Sequence, residues 1–195
     1  VNKALSNISG EVFKNYKVEK IFRSQENVRI TVGNEYLDYD HVVLASHADQ
    51  SLNMLEKPTQ EERNILSKFT YVSNAAFLHT NESLMPLRKK AWSSWNSITK
   101  EGKTCITYWL NKLQNLKCSK NYFLTLNPIE LIESDKIIKK INFTHPYFNN
   151  ENVTLQKHLH TIQGKRTWFC GSYFGYGFHE DGLKSSIELM KNFKT

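Results

Sequence analysis

One stretch constrains the fold of this chain more than any other: Trp168-Phe-Cys-Gly171-Ser-Tyr-Phe-Gly175-Tyr-Gly177-Phe-His179-Glu180-Asp181-Gly182-Leu-Lys-Ser-Ser. A short apolar run, residues 167–170, stops at Gly171. Three more glycines follow by position 182, and residues 183–193 then carry the apolar spacing of an amphipathic helix. Strand, glycine-punctuated loop and helix start, in that order, bring bare backbone N–H groups and the positive end of a helix dipole towards one ligand. The plainer reading is a glycine- and aromatic-rich turn that only closes a sheet.

The other end of the chain reads as β-structure. Residues 18–22 form one short strand, and Val28, Ile30 and Val32 alternate with polar neighbours as in a strand buried on one face. Gly33-Asn34 supplies a hairpin turn into residues 35–39. The continuous apolar run at 41–45 predicts a strand buried on both faces, with the small Ala45 and Ser46 at its end. Residues 50–55 and 59–69 read as helices, the second opened by the capping box Thr59-Gln-Glu-Glu62. Strands are then expected at 71–80, 91–96, 105–110 and 122–126, with another at 137–143. Residues 153–162 fit a strand or a short helix. His158 and His160 would share a face if that segment were a strand, but no third metal ligand accompanies them.

At 195 residues with 39% hydrophobic content, the chain has the composition of a globular protein with a sizeable core. No apolar run approaches the roughly 20 residues of a membrane span. Cys105, Cys118 and Cys170 show no C-x-x-C spacing, so neither a disulfide framework nor zinc is indicated, and a cytoplasmic location is expected. The sequons at Asn7, Asn81, Asn142 and Asn152 are then incidental. The net charge of +7 comes from 21 lysines and only 5 arginines, spread along a chain with 19 asparagines. Nucleic-acid sites favour clustered arginine with stacking partners, so nucleic acid is not the expected partner, while peripheral contact with an anionic membrane stays open.

The C-terminal segment, taken with Tyr39-Asp-His-Val-Val-Leu-Ala-Ser-His-Ala-Asp49, Leu78-His-Thr80, Leu84-Met-Pro86, Ala91-Trp-Ser-Ser-Trp-Asn96, Thr107-Tyr-Trp-Leu-Asn111 and Leu126-Asn-Pro128, resembles the flavin-containing amine oxidoreductase superfamily. The bacterial branch of NAD/FAD-binding proteins is the most similar in pattern. The resemblance implies an α/β (α+β) architecture. A partial FAD-binding domain would be formed by both chain ends (1–55 and 164–195), and an antiparallel-sheet substrate domain would span 56–163. It also implies FAD as cofactor and hydride transfer from substrate to flavin. No G-x-G-x-x-G precedes these segments, so the chain is expected to be the C-terminal part of a longer enzyme, inactive alone.

By the same resemblance, Val18, Ala45, Ser46, Gly171, Ser172, Gly175, Gly177, His179, Glu180, Asp181, Gly182 and Leu183 are the expected cofactor-binding positions. Gly182 matches the glycine at the start of the family's last helix, near the flavin pyrimidine ring. Ser172 stands where the family carries Asp or Glu. Asp181 serves equally well as an ordinary helix cap. Trp92, Trp95, Asn96 and Tyr108 are the expected substrate pocket, and each aromatic could instead be core. No catalytic base stands out. The substrate expected from the resemblance is a modified fatty-acyl chain; a small amine, or no reaction at all in a basic surface-binding module, are the alternatives.

Overall fold

The computed structural model describes residues 2–193 and divides into two compact units. The first unit combines residues up to Thr70 with those from Pro146 onward, and the second runs from Tyr71 to His145. Helix α3 packs on α2 in the first unit, and the segment after Pro146 belongs to the first unit as well.

In the first unit, α1 (Asn2–Leu5) precedes a three-stranded antiparallel meander: β1 (Lys20–Arg23), β2 (Val28–Val32) and β3 (Glu35–Tyr39). Gly33 turns the β2–β3 hairpin at φ +57°, a left-handed conformation that suits glycine. Val18 falls two residues short of β1 and is half-buried rather than part of a strand. β4 (Val42–Leu44) pairs in parallel with β10 (Thr167–Phe169) in the register Val42–Thr167, Val43–Trp168, Leu44–Phe169. Val42 and Leu44 are buried, yet Val43 is 46% exposed, so β4 is covered on one face rather than on both.

Helices α2 (Ala48–Met54) and α3 (Gln60–Leu66) follow, and the capping box at Thr59 forms as read. Glu62 N–H donates to Thr59 Oγ1 at 3.1 Å, and Thr59 N–H donates to the Glu62 carboxylate at 2.7 Å. Arg23 clamps the same buried carboxylate through both terminal guanidinium nitrogens. Burial raises the Glu62 pKa, but the Arg23 and Thr59 hydrogen bonds outweigh it and hold the carboxyl below the ordinary range. After Pro146, α5 (Asn150–Leu155) runs into a 3-10 turn (Gln156–His158), which settles that segment as helical. His158 and His160 accordingly share no strand face.

The second unit is built on a five-stranded sheet in the order β6 (Trp95–Lys100), β7 (Lys103–Trp109), β8 (Phe123–Leu126), β5 (Thr70–His79), β9 (Ile137–Tyr147). The β6–β7, β7–β8 and β8–β5 pairs are antiparallel. The short helix α4 (Leu110–Leu113) links β7 towards β8. Trp92 is not on a strand. It follows a 3-10 turn (Lys89–Ala91) and β6 starts only at Trp95, so the strand expected over 91–96 does not include it. Trp92 packs instead with Met85, Phe123 and Trp109 in a buried cluster, and its indole N–H donates to Pro86 O at 2.7 Å.

Candidate functional site at the ends of the parallel strands

β4 and β10 run side by side and stop at the same level, the Cys170 N–H donating to Leu44 O at 3.1 Å. Ala45-Ser46 and Gly171-Ser172 therefore emerge together from the carboxyl ends of two parallel strands. In α/β folds this is the position where ligands gather. A Cβ added to Gly171 would come within 2.9 Å of the Tyr173 ring and 3.7 Å of Ser46 O, and its φ of +149° disfavours an L side chain. Ser46 is half-buried with its hydroxyl 2.9 Å from Ser51 Oγ, while Ala45 is exposed.

Beyond Gly171 a 3-10 turn (Ser172–Phe174) leads through Gly175 and Gly177 into α6 (His179–Asn192). This helix begins four residues before the expected start at Leu183, and Gly182 is its fourth residue rather than its opening. The reason is chemical. Asp181, from the first turn, accepts hydrogen bonds from the Tyr176 and Phe178 N–H groups, both at 3.0 Å, and so nucleates the turn ahead of the glycine. Asp181 thus caps the helix from inside it, and Phe178 occupies the N-cap position with no side-chain acceptor of its own.

The amides of Asp181 and Gly182 both reach Phe178 O. Among the described residues the N–H groups of His179 and Glu180 have no acceptor, so they carry the open positive end of α6. His179, Glu180 and Leu183 are exposed around it; Ser172, Gly175 and Gly177 are half-buried beneath. A Cβ at Gly182 would meet Ser172 N at 3.7 Å and Gly171 C at 4.0 Å, an ordinary contact. Gly182 is thus where the helix lies close against the loop.

Two residues that the sequence did not single out hold this arrangement. Ser185 accepts the Gly171 N–H at 2.9 Å and also lies within hydrogen-bonding distance of the Gly171 and Gly182 carbonyls, tying the strand end to the helix. Gln156 donates to the carbonyls of Tyr173 and Gly175 and so supports the loop from α5's side. The Ser185–Ser186 pair three residues after a helical glycine is a signal a sequence can show; Gln156 offers none.

A cleft of about 320 Å³ opens beside the loop between Phe174, Gly175, Asp181, Lys184 and Glu188. A larger one, about 490 Å³, lies against Leu159, Trp168, Phe169 and Leu189, but its wall includes none of Ala45, Ser46, Gly171 or Ser172. The larger cavity therefore lies apart from the strand ends, where the glycines and small residues gather.

The residues expected to line a substrate pocket divide between two faces of the second unit's sheet. Trp95 is 60% exposed and meets its cross-strand partner Tyr108 edge-on at 5.7 Å. Asn96 faces the other way, buried, accepting the Ser93 N–H and donating to Ser93 O. It adjoins a buried polar row: Thr107 Oγ1 lies 2.8 Å from Thr125 Oγ1, which lies 2.7 Å from His79 Nε2. Because His79 Nδ1 accepts the Asn81 N–H at 3.1 Å, Nε2 carries the proton and donates to Thr125. Burial pushes this imidazole down to about 4.

No protein-family model matches the sequence, and no curated protein is similar to it. Solved structures do match. A conjugated-linoleic-acid-producing fatty acid isomerase from P. acnes superposes with a TM-score of 0.67 at 13% identity, over 97% of this chain and 50% of that one. A putrescine oxidase variant gives 0.66 at 8% identity over 98% and 51%. A putative protoporphyrinogen oxidase from Exiguobacterium gives 0.60 at 11% over 91% and 46%. The chain spans about half the length of each of these structures. These neighbours are FAD enzymes of the flavin amine oxidase type, and this chain has the mixed α/β fold, with its antiparallel sheets, that occupies about half of such an enzyme.

Proposed function

We propose that the protein acts as part of an FAD-dependent oxidoreductase. The first unit would hold one edge of the flavin at the ends of β4 and β10. The observation that carries this reading is the meeting of Ala45-Ser46 and Gly171-Ser172 in front of the open N-terminus of α6. The residues present fit such a ligand. The unpartnered N–H groups of His179 and Glu180 and the Ser172 hydroxyl are donors, and an electron-rich, oxygen-bearing ring edge needs donors.

Bound FAD would supply hydride acceptance from the substrate and return of the electrons to oxygen or another acceptor. The chain's own contribution is positioning. The end of α6 favours the negative charge that a reduced ring edge carries, by about 0.3–1 kcal/mol when exposed and more when dry. Asp181 and Ser185 fix the loop that sets this distance. Ala45 and Ser46 keep side-chain bulk away from the ring, and Val18, Gly175, Gly177, Gly182 and Leu183 complete the proposed surround. The exposed Trp95 and the half-buried Tyr108 would form the aromatic wall for substrate, with Trp92 and Asn96 buttressing it from the core. Neither wall strand supplies an acid in the 91–96 or 104–111 segments, which suits an acyl chain better than an amine cation. A small amine remains the second reading, because putrescine oxidase is among the matches.

The test is anaerobic flavin bleaching in the full-length protein, with fatty-acyl lipids of increasing length against a panel of amines. Reduction that depends on chain length supports the acyl reading; fast bleaching by a small polyamine alone overturns it. A full-length protein that purifies without flavin and takes none up overturns the cofactor assignment itself.

A further inference from the structure

We propose that one end of the five-stranded sheet is a docking surface for membranes containing anionic phospholipid. Two loops meet there: residues 81–94, leading into β6, and residues 110–122, between β7 and β8. They are fastened together and to the sheet. The Trp109 N–H donates to Ser94 O at 3.1 Å, Asn121 Nδ2 donates to the Glu82 carboxylate at 2.7 Å, and the Trp92 and Trp109 rings meet edge-on at 5.3 Å. Asn111 in turn pins the second loop, accepting the Tyr122 N–H and donating to Lys120 O.

Within this fastened framework the first loop buries Leu84, Met85 and Trp92, and yet it leaves Leu87 fully exposed. Leu113 (50%) and Leu116 (38%) project from the second loop. Fixed loops that already have a core have no folding reason to display three large apolar side chains.

The charge around these side chains points to the occupant. The two loops carry Arg88, Lys89, Lys90, Lys112, Lys117 and Lys120 against a single carboxylate, Glu82, so they hold five of the chain's net seven positive charges. Glu82 pairs with Lys89 at 3.0 Å, and Lys89 also lies over the Trp92 ring. Among the described residues the other five cations have no ion pair.

Exposed leucines on the same loops as unpaired lysines match a bilayer interface. The apolar tips enter the acyl boundary while the flexible ammonium groups stay at the phosphates. A duplex nucleic acid offers nowhere to place three leucines and is contacted preferentially by arginine. The fold thus brings six of the chain's 26 cations, from two separate loops, to one end of one sheet.

The experiment is flotation of the full-length protein with vesicles of phosphatidylcholine alone and of phosphatidylcholine mixed with phosphatidylserine. Binding is expected only to the mixed vesicles, and it should weaken as salt rises. The triple change Lys112→Gln, Lys117→Gln, Lys120→Gln should lower the partition coefficient about a hundred-fold, at roughly five-fold per cation. Leu87→Ser with Leu113→Ser should also release the protein; all five positions are exposed, so the fold is not at stake. A control triple at the exposed Lys17, Lys139 and Lys157 should change binding far less. The proposal is overturned by equal binding to neutral vesicles, by equal loss in the control triple, by no vesicle binding at all, or by a DNA duplex displacing the protein at physiological salt.

Discussion

A Cβ on Gly175 would sit 2.5 Å from the carboxylate of Asp181, so the glycine exists to let that carboxylate reach two backbone N–H groups. Gly175→Ala should therefore cost about 1–3 kcal/mol, the usual range for forcing atoms into a filled site. Asp181→Ala should cost about 0.5–2 kcal/mol through the lost cap. In the double variant the carboxylate part of the clash is gone and only the Cβ of residue 181, at 2.8 Å, remains, so the two costs should fall short of their sum. Urea unfolding of the four proteins measures this; strict additivity would show that the two residues do not interact.

At Gly182 the structure separates alanine from valine. A single Cβ finds only ordinary contacts, and alanine gains up to about 1 kcal/mol in helix propensity, so Gly182→Ala should fold at least as well as the parent and keep its flavin. Gly182→Val adds two methyls against Ser172 and Gly171 and should push the loop away, with loss of bound flavin. Flavin absorbance per protein after gel filtration reads the difference.

His79 should make the second unit sensitive to mild acid. Its folded pKa, about 4, lies below the ordinary 6.5, so the unfolded chain binds the proton first. Stability is then fully present above about pH 6.5 and falls as the pH drops towards 4. The slope approaches 1.4 kcal/mol per pH unit, for a total of at most about 3 kcal/mol. His79→Gln should flatten the profile of urea midpoints between pH 7 and pH 5.

The Arg23–Glu62 pair should respond differently. Because Glu62 is held below its ordinary range, its contribution persists above about pH 4.5 and is lost only as the pH falls through the folded value. Arg23→Ala leaves a buried carboxylate half-paired and should cost about 3 kcal/mol at pH 7; Arg23→Lys should recover only part of that, since one ammonium cannot span both oxygens. Thermal melts of the two variants check the order.

What could be read from the sequence was whatever local chemistry decides. The β2–β3 hairpin follows from period-two alternation and Gly33, and α3 follows from Thr59 and Glu62, three residues apart. Where distant residues decide, the reading failed. The run of aromatics at 91–96 looked like a strand, but Trp92 is drawn into a core supplied by Met85 and Phe123, and β6 starts only after it. Gly182 looked like a boundary because glycine commonly is one. The true start of α6 is fixed by Asp181 reaching backwards. Of the site, the two clusters of small residues were legible; the contacts of Ser185 and Gln156 span 14 to 19 residues and were not.

The parallel pairing of Val42–Leu44 with Thr167–Phe169 joins segments more than a hundred residues apart, while β6, β7 and β8 pair with their neighbours in sequence. Closing a loop of that length costs entropy before any contact repays it, and a ready-folded insert shortens the slack chain that must be closed. Topology thus predicts an order in folding: the local hairpins of the second unit gather early, and the strand ends at the candidate site meet last. A substitution that weakens the β6–β7 hairpin should then slow the pairing of β4 with β10, a ladder that includes no residue of the hairpin.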